Sequence, residues 1–92
     1  TLVSIYLLED ENLVLQHQVG YKTFIERLPI ERGVMGKVAR TGQAILLKNP
    51  KEDGDVVWAF EGINSEICVP LLDTGRVVGV LNVESTEKRF FD

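Results

Sequence analysis

Two apolar runs near the C-terminal end of the chain limit the fold more than any other feature. They are Glu66-Ile67-Cys68-Val69-Pro70-Leu71-Leu72 and Arg76-Val77-Val78-Gly79-Val80-Leu81-Asn82-Val83-Glu84, separated only by Asp73-Thr74-Gly75. A polar linker of that length with a glycine is a tight-turn signal, so the runs form an antiparallel hairpin. They are apolar at nearly every position rather than every second one. A strand of that kind belongs to a sheet covered on both faces.

A second hairpin opens the chain. Leu2-Val3-Ser4-Ile5-Tyr6-Leu7-Leu8 is rich in β-branched and aromatic residues, Glu9-Asp10-Glu11-Asn12 interrupts it, and Leu13 to Val19 follows. The predicted strands are at about 2–8 and 13–19. Residues 20–32 hold Gly20 and Pro29 without a sustained period and read as a connection. Val34, Met35, Val38 and Ala39 then fall on one face of a helix at about 34–41. Gly42 is placed to stop this helix in the left-handed conformation, and Arg40 suits the negative end of its dipole. Residues 44–48 read as a short strand and residues 49–64 as an irregular connection, with loop composition from Asn49 to Asp55. The order ββ, helix, β, connection, ββ with hairpins at both ends is an α+β class. At 92 residues it is one small domain, 1–92.

Composition excludes several functions. Net charge is −4 with acids and bases interspersed, unlike the clustered Lys and Arg of a nucleic-acid binder. No apolar run reaches membrane-spanning length and no signal-peptide pattern is present. Cys68 is the single cysteine and no Cys/His set has metal-ligand spacing, which reads as a cytoplasmic setting with no metal. Gly33-Val34-Met35-Gly36-Lys37-Val38 looks at first like a phosphate loop. The Walker A spacing requires glycine where Glu31 stands and Ser or Thr where Val38 stands, so that reading fails. Gly36 is instead expected to let the helix approach the sheet closely.

Four segments in order, SIYLLEDENLVLQHQVG, RGVMGKVARTGQAILL, INSEICVPLLDTGRVVGVLNVES and RFFD, resemble the GAF domain over nearly the whole chain. The resemblance implies a PAS-related, central antiparallel five-stranded sheet of order 2-1-5-4-3. It puts flanking helices on one face and a small-molecule pocket on the other. Family members usually carry helices before the first strand and after the Phe-x-x-Asp region, so this chain resembles a truncated core with a partly uncovered sheet face. What the resemblance implies for function is a cytoplasmic, bacterial, non-enzymatic module that senses a ligand or transmits a signal. Such a module sits beside an effector domain in the same polypeptide, such as a histidine kinase, a diguanylate cyclase or phosphodiesterase, or a transcriptional regulator. Homodimerisation goes with it. The alternative is a ligand-free dimerisation spacer with a collapsed pocket. A remote alternative is an enzyme like the free methionine-(R)-sulfoxide reductases.

In phytochrome-type GAF domains the tyrosine matching Tyr6 faces the chromophore, which assigns that side of the sheet to the pocket. By alternation Ser4 and Tyr6 share that face, as do Glu66 and Cys68 on the fourth predicted strand and Val80, Asn82 and Glu84 on the fifth. Trp58, Phe60 and Ile63 from the connection are candidates for a pocket wall. Glu66 and Glu84 stand out because acids are rarely buried without a partner. No catalytic residue is assigned and the ligand stays open. Cyclic GMP is disfavoured, because Glu84-Ser85 replace the family's Asn-Lys signature. Bilin is disfavoured because the connection has no cysteine, and haem because His17, the only histidine, lies mid-strand between glutamines. The reductase-like alternative matches at Ser65–Pro70 and Leu81–Ser85, which resemble segments that supply carboxylates for the substrate. Its redox cysteines fall at Met35 and in the connection before Asn64, where this chain has none.

Overall fold

The computed structural model describes residues 1–47 and 65–86. Six antiparallel strands form one sheet in the order β3-β2-β1-β6-β5-β4, with one helix. The strands are β1 (Leu2–Glu9), β2 (Asn12–Val19), β3 (Arg27–Pro29), β4 (Ile45–Leu47), β5 (Ser65–Asp73) and β6 (Arg76–Ser85), and the helix is α1 (Gly33–Thr41). The five strands expected from sequence keep their expected neighbours. The sixth, β3, adds to the β2 edge where sequence reading gave only a connection. It is three residues long and ends in a proline, so it carries no readable period, and an edge is where proline is tolerated. The irregular connection at 49–64 lies outside the described residues.

Local chemistry accounts for the turns. Asp73 pairs with Arg76, leaving Thr74 and Gly75 as a two-residue loop with φ of 49° and 82°. Positive φ at both central positions gives the turn whose twist matches its strands. Helix α1 ends on Gly42 at φ 71°, whose amide donates to the Val38 carbonyl at 2.8 Å. Gly36 has a different role from the expected approach to the sheet. A Cβ there would lie 2.4 Å from the Ile30 carbonyl oxygen, so the helix packs against the segment just before it.

Tyr6, Leu13, Leu28, Val34, Val38, Cys68 and Val80 form the buried core, so α1 covers the face that carries Tyr6, Cys68 and Val80. The opposite face carries the rows Ile5–Leu81–Val69 and Val3–Val83–Ile67, all half-buried. Among the described residues, only the first face has a helix on it. No described helix is long and apolar enough to cross a membrane.

Candidate functional site

Strand β6 builds the site by alternation. Val80 lies opposite Tyr6 on β1, Asn82 lies between Ser4 on β1 and Cys68 on β5, and Glu84 lies between Leu2 and Glu66. Toward Val80 this face is dry core. Toward Glu84 it becomes polar, and there the connection from β2 to β3 and the first turn of α1 stand over it around a cavity of about 50 Å³. Its polar wall is Ser4, Tyr21, Asn82 and Glu84, and its apolar wall is Tyr6, Phe24, Ile25 and Met35.

The polar wall is a connected network with one buried acceptor left over. Glu84 Oε1 accepts from the Tyr21 hydroxyl and, at 3.1 Å, from Asn82 Nδ2. The Tyr6 hydroxyl donates to the Ile25 carbonyl at 2.5 Å. Among the described contacts, Glu84 Oε2 receives no donor. Asn82 is 2% exposed, and its Oδ1 is buried with no hydrogen-bond partner. An unsatisfied buried acceptor costs about 1–3 kcal/mol, so Asn82 Oδ1, on a residue that lines the cavity, calls for a donor.

Burial sets the ionisation. It pushes the Glu84 carboxyl above the usual carboxylate range, against the bonds from Tyr21 and Asn82, which favour the anion. The Tyr6 and Tyr21 hydroxyls are raised first by burial and then by Glu84, so both remain neutral donors. Burial, then Glu66 and Glu84, push the Cys68 thiol up, so it stays protonated.

Of the residues singled out in the sequence, Ser4, Tyr6, Asn82 and Glu84 line the cavity. Glu66 is buried opposite Glu84 and has partners of its own. Cys68 and Val80 are core residues at 0% exposure rather than cavity lining, because α1 packs over them. Trp58, Phe60 and Ile63 lie outside the described residues. Sequence reading missed Tyr21, Phe24 and Ile25, which sit in an aperiodic connection with nothing to mark their direction. Met35, which the sequence puts on the apolar helix face and at the position of a redox cysteine in the reductase-like alternative, lines the cavity with its side chain. The cavity also argues against a spacer with a collapsed pocket. Among the described residues no group of side chains is arranged to hold a metal ion.

The GAF domain family profile matches residues 1–92. The free methionine-R-sulfoxide reductase of Escherichia coli K12 is 35% identical over 81 residues, which is 88% of this chain and 48% of that protein. The free methionine-R-sulfoxide reductase of Neisseria meningitidis, solved in complex with its substrate, superposes with a TM-score of 0.89 at 31% identity. That match covers 99% of this chain and 55% of the other. The type II enzyme of Thermoplasma acidophilum gives a TM-score of 0.92 at 25% identity, covering 99% and 64%. The chain spans about half the length of the curated relatives it matches. These relatives correct the expectation of a non-enzymatic sensor or signal-transmitting module, because they are enzymes named for free methionine-R-sulfoxide.

Proposed function

This chain belongs to the GAF domain family, and from that premise we propose that it is an enzyme of the free methionine-R-sulfoxide reductase kind whose cavity takes the free amino acid. The observation that carries this reading is the pair of acceptors in the cavity wall. A primary ammonium has several donors and a positive charge, and Glu84 and Asn82, both lining the cavity, offer it a carboxylate and a buried amide oxygen without a partner. A cavity of about 50 Å³ holds roughly four waters at ~10–15 Å³ each, room for the ammonium end of an amino acid. The apolar wall of Phe24, Ile25 and Met35 suits a thioether chain. The first turn of α1 presents Met35 to the cavity and has no side-chain cap, so its amides are available to the ligand carboxylate.

Sulfoxide reduction moves the oxygen to a thiol. The thiol becomes a sulfenic acid and the sulfoxide a thioether, and a second thiol then forms a disulfide with release of water. Met35 stands where the resemblance puts one redox cysteine, and Cys68 is the one thiol in these 92 residues. Cys68 lies opposite Asn82, one strand from the cavity lining, and can take the first step only when this buried face opens, with an external thiol supplying the second. Its burial and protonation make that step slow.

The test is thermal unfolding with free methionine-(R)-sulfoxide, followed by turnover with dithiothreitol as reductant. At a hundred times its Kd the ligand adds about 2.7 kcal/mol, a rise of roughly 10–20 °C for a domain of this size. Turnover is expected to be slow and to vanish in Cys68→Ser while binding persists. The absence of both a shift at millimolar ligand and any turnover would overturn the reading.

A further inference from the structure

We propose that Tyr21 is a positioning residue of the amine site, its hydroxyl holding Glu84 by one oxygen so that the other, together with Asn82 Oδ1, faces the ligand. The inference rests on the function proposed above, and it goes further by giving a role to a side chain outside every motif of the sequence.

Tyr21 is anchored at both ends. Its backbone amide donates to Gln18 Oε1 at 3.0 Å, just beyond β2 and past Gly20 at φ 95°. Its hydroxyl donates to Glu84 Oε1. Glu84 Oε1 thus takes two donors from fixed neighbours, Tyr21 and Asn82, and rotation of the carboxyl would break both bonds. The same Asn82 amide that donates to Glu84 turns its own oxygen, Oδ1, away from that bond. One network therefore fixes both acceptors. Without the Tyr21 hydroxyl, Glu84 keeps a single neutral donor and a buried charge.

This role differs from a packing role in how it depends on pH. The ionisable groups around Glu84 are Tyr6 from β1, Tyr21 itself, and Glu66 and Cys68 from β5, while α1 contributes the neutral Met35. Both tyrosines and the thiol stay neutral through pH 8, and a bond from Tyr21 favours the ionised form of Glu84. Removing it moves the titration of Glu84 toward neutrality, and a cationic amine needs the ionised form.

The experiment is Tyr21→Phe, which keeps the ring and removes one oxygen. Affinity for free methionine-(R)-sulfoxide is measured by calorimetry between pH 5 and 8. Simultaneously, the Glu84 side-chain carboxyl is titrated by carbon-13 NMR without ligand. The expected result is a loss of about tenfold at the acid end of the range that shrinks toward pH 8, with the carboxyl titrating at higher pH than in the wild type. In a Glu84→Gln background the same change has less than about a threefold effect, since Tyr21 acts through Glu84. A loss equal at every pH, or an unmoved carboxyl titration, overturns the proposal. A wild type that binds no sulfoxide defeats the functional reading alone, because the carboxyl titration still decides the role of Tyr21.

Discussion

Replacing Glu84 by Gln separates the ligand's needs from the fold's. The amide is isosteric with the carboxylate, and its Oε1 still accepts from Tyr21 and Asn82. What changes is the charge, and the free oxygen facing the cavity becomes a donor. A ligand ammonium ~2.8 Å from Oε2 gains about 6 kcal/mol of Coulomb energy at an effective dielectric of ~20, before either group is stripped of water. Desolvation consumes more than half, leaving about 2–3 kcal/mol and a Kd weaker by roughly 30- to 150-fold. The unliganded protein should respond in the opposite sense. Glu84 is 7% exposed and burial raises its pKa. Its contribution to stability is complete below the ordinary carboxylate range and is lost as pH rises through its elevated folded value. Glu84→Gln removes that loss. The two proteins should melt together near pH 4 and diverge above it, with the variant equal or more stable at pH 7.5. Thermal unfolding from pH 4 to 8 and calorimetric titration at pH 7.5 read both effects. An unchanged Kd refutes the amine site. A variant less stable by 2 kcal/mol or more at pH 7.5, on the order of a buried ion pair broken, refutes the account of Glu84 as a charge the empty fold tolerates at a cost.

Gly36→Ala puts a Cβ 2.4 Å from the Ile30 carbonyl, and overpacking should outweigh the helix gain of about 1 kcal/mol, for a net loss of about 1–2 kcal/mol read as a lower urea midpoint. Leu13→Ala, at a fully buried position under β2, should cost about 2–5 kcal/mol in the same assay, and a loss under 1 kcal/mol would contradict the core assigned here. Cys68, buried and with its thiol pushed up, should react only slowly with an aromatic disulfide reagent in the native protein at pH 8 and rapidly once denaturant is added, and immediate labelling of the native protein would show that the thiol stands open to solvent.

The sequence carries the sheet and only half of the site, for a physical reason. Strands β1, β2, β5 and β6 are eight to ten residues long, so their alternation and turns repeat often enough to be read. Alternation also puts Ser4, Tyr6, Asn82 and Glu84 on one face. It cannot tell which members of that face are covered. Val80 and Cys68 obey the same periodicity and end in the core because α1 lies over them, a packing decision that no strand records. Tyr21, Phe24 and Ile25 come from a connection whose path is set by a three-residue edge strand and by the bond from the Tyr21 amide to Gln18. These are contacts between distant segments and leave no local pattern. The functional expectation failed similarly. The GAF resemblance names a fold that serves many activities, and the activity lies in a few side chains placed on it.

The placement of Glu84 favours a pocket over a merely tolerated burial. Glu66 and Glu84 face each other on adjacent strands, and both are buried. Directly opposed like charges destabilise a sheet, and a protonated or apolar pair would serve the fold better. Glu66 has partners of its own, whereas Glu84 leaves an oxygen open beside an unsatisfied amide oxygen. The cost is therefore concentrated at the one point where the cavity gives access. A cationic donor entering there satisfies Asn82 Oδ1, meets the Glu84 carboxylate, and draws the Glu84 pKa down toward the ordinary range. Each of those gains exists only in the bound state. Ligand should therefore stabilise the wild type most where the empty protein is weakest, above the elevated pKa of Glu84, and its stabilising effect should fade as pH falls through that value. A ligand-induced rise in melting temperature that is the same at pH 4 and pH 7.5 would mean that the carboxylate is not what the ligand meets.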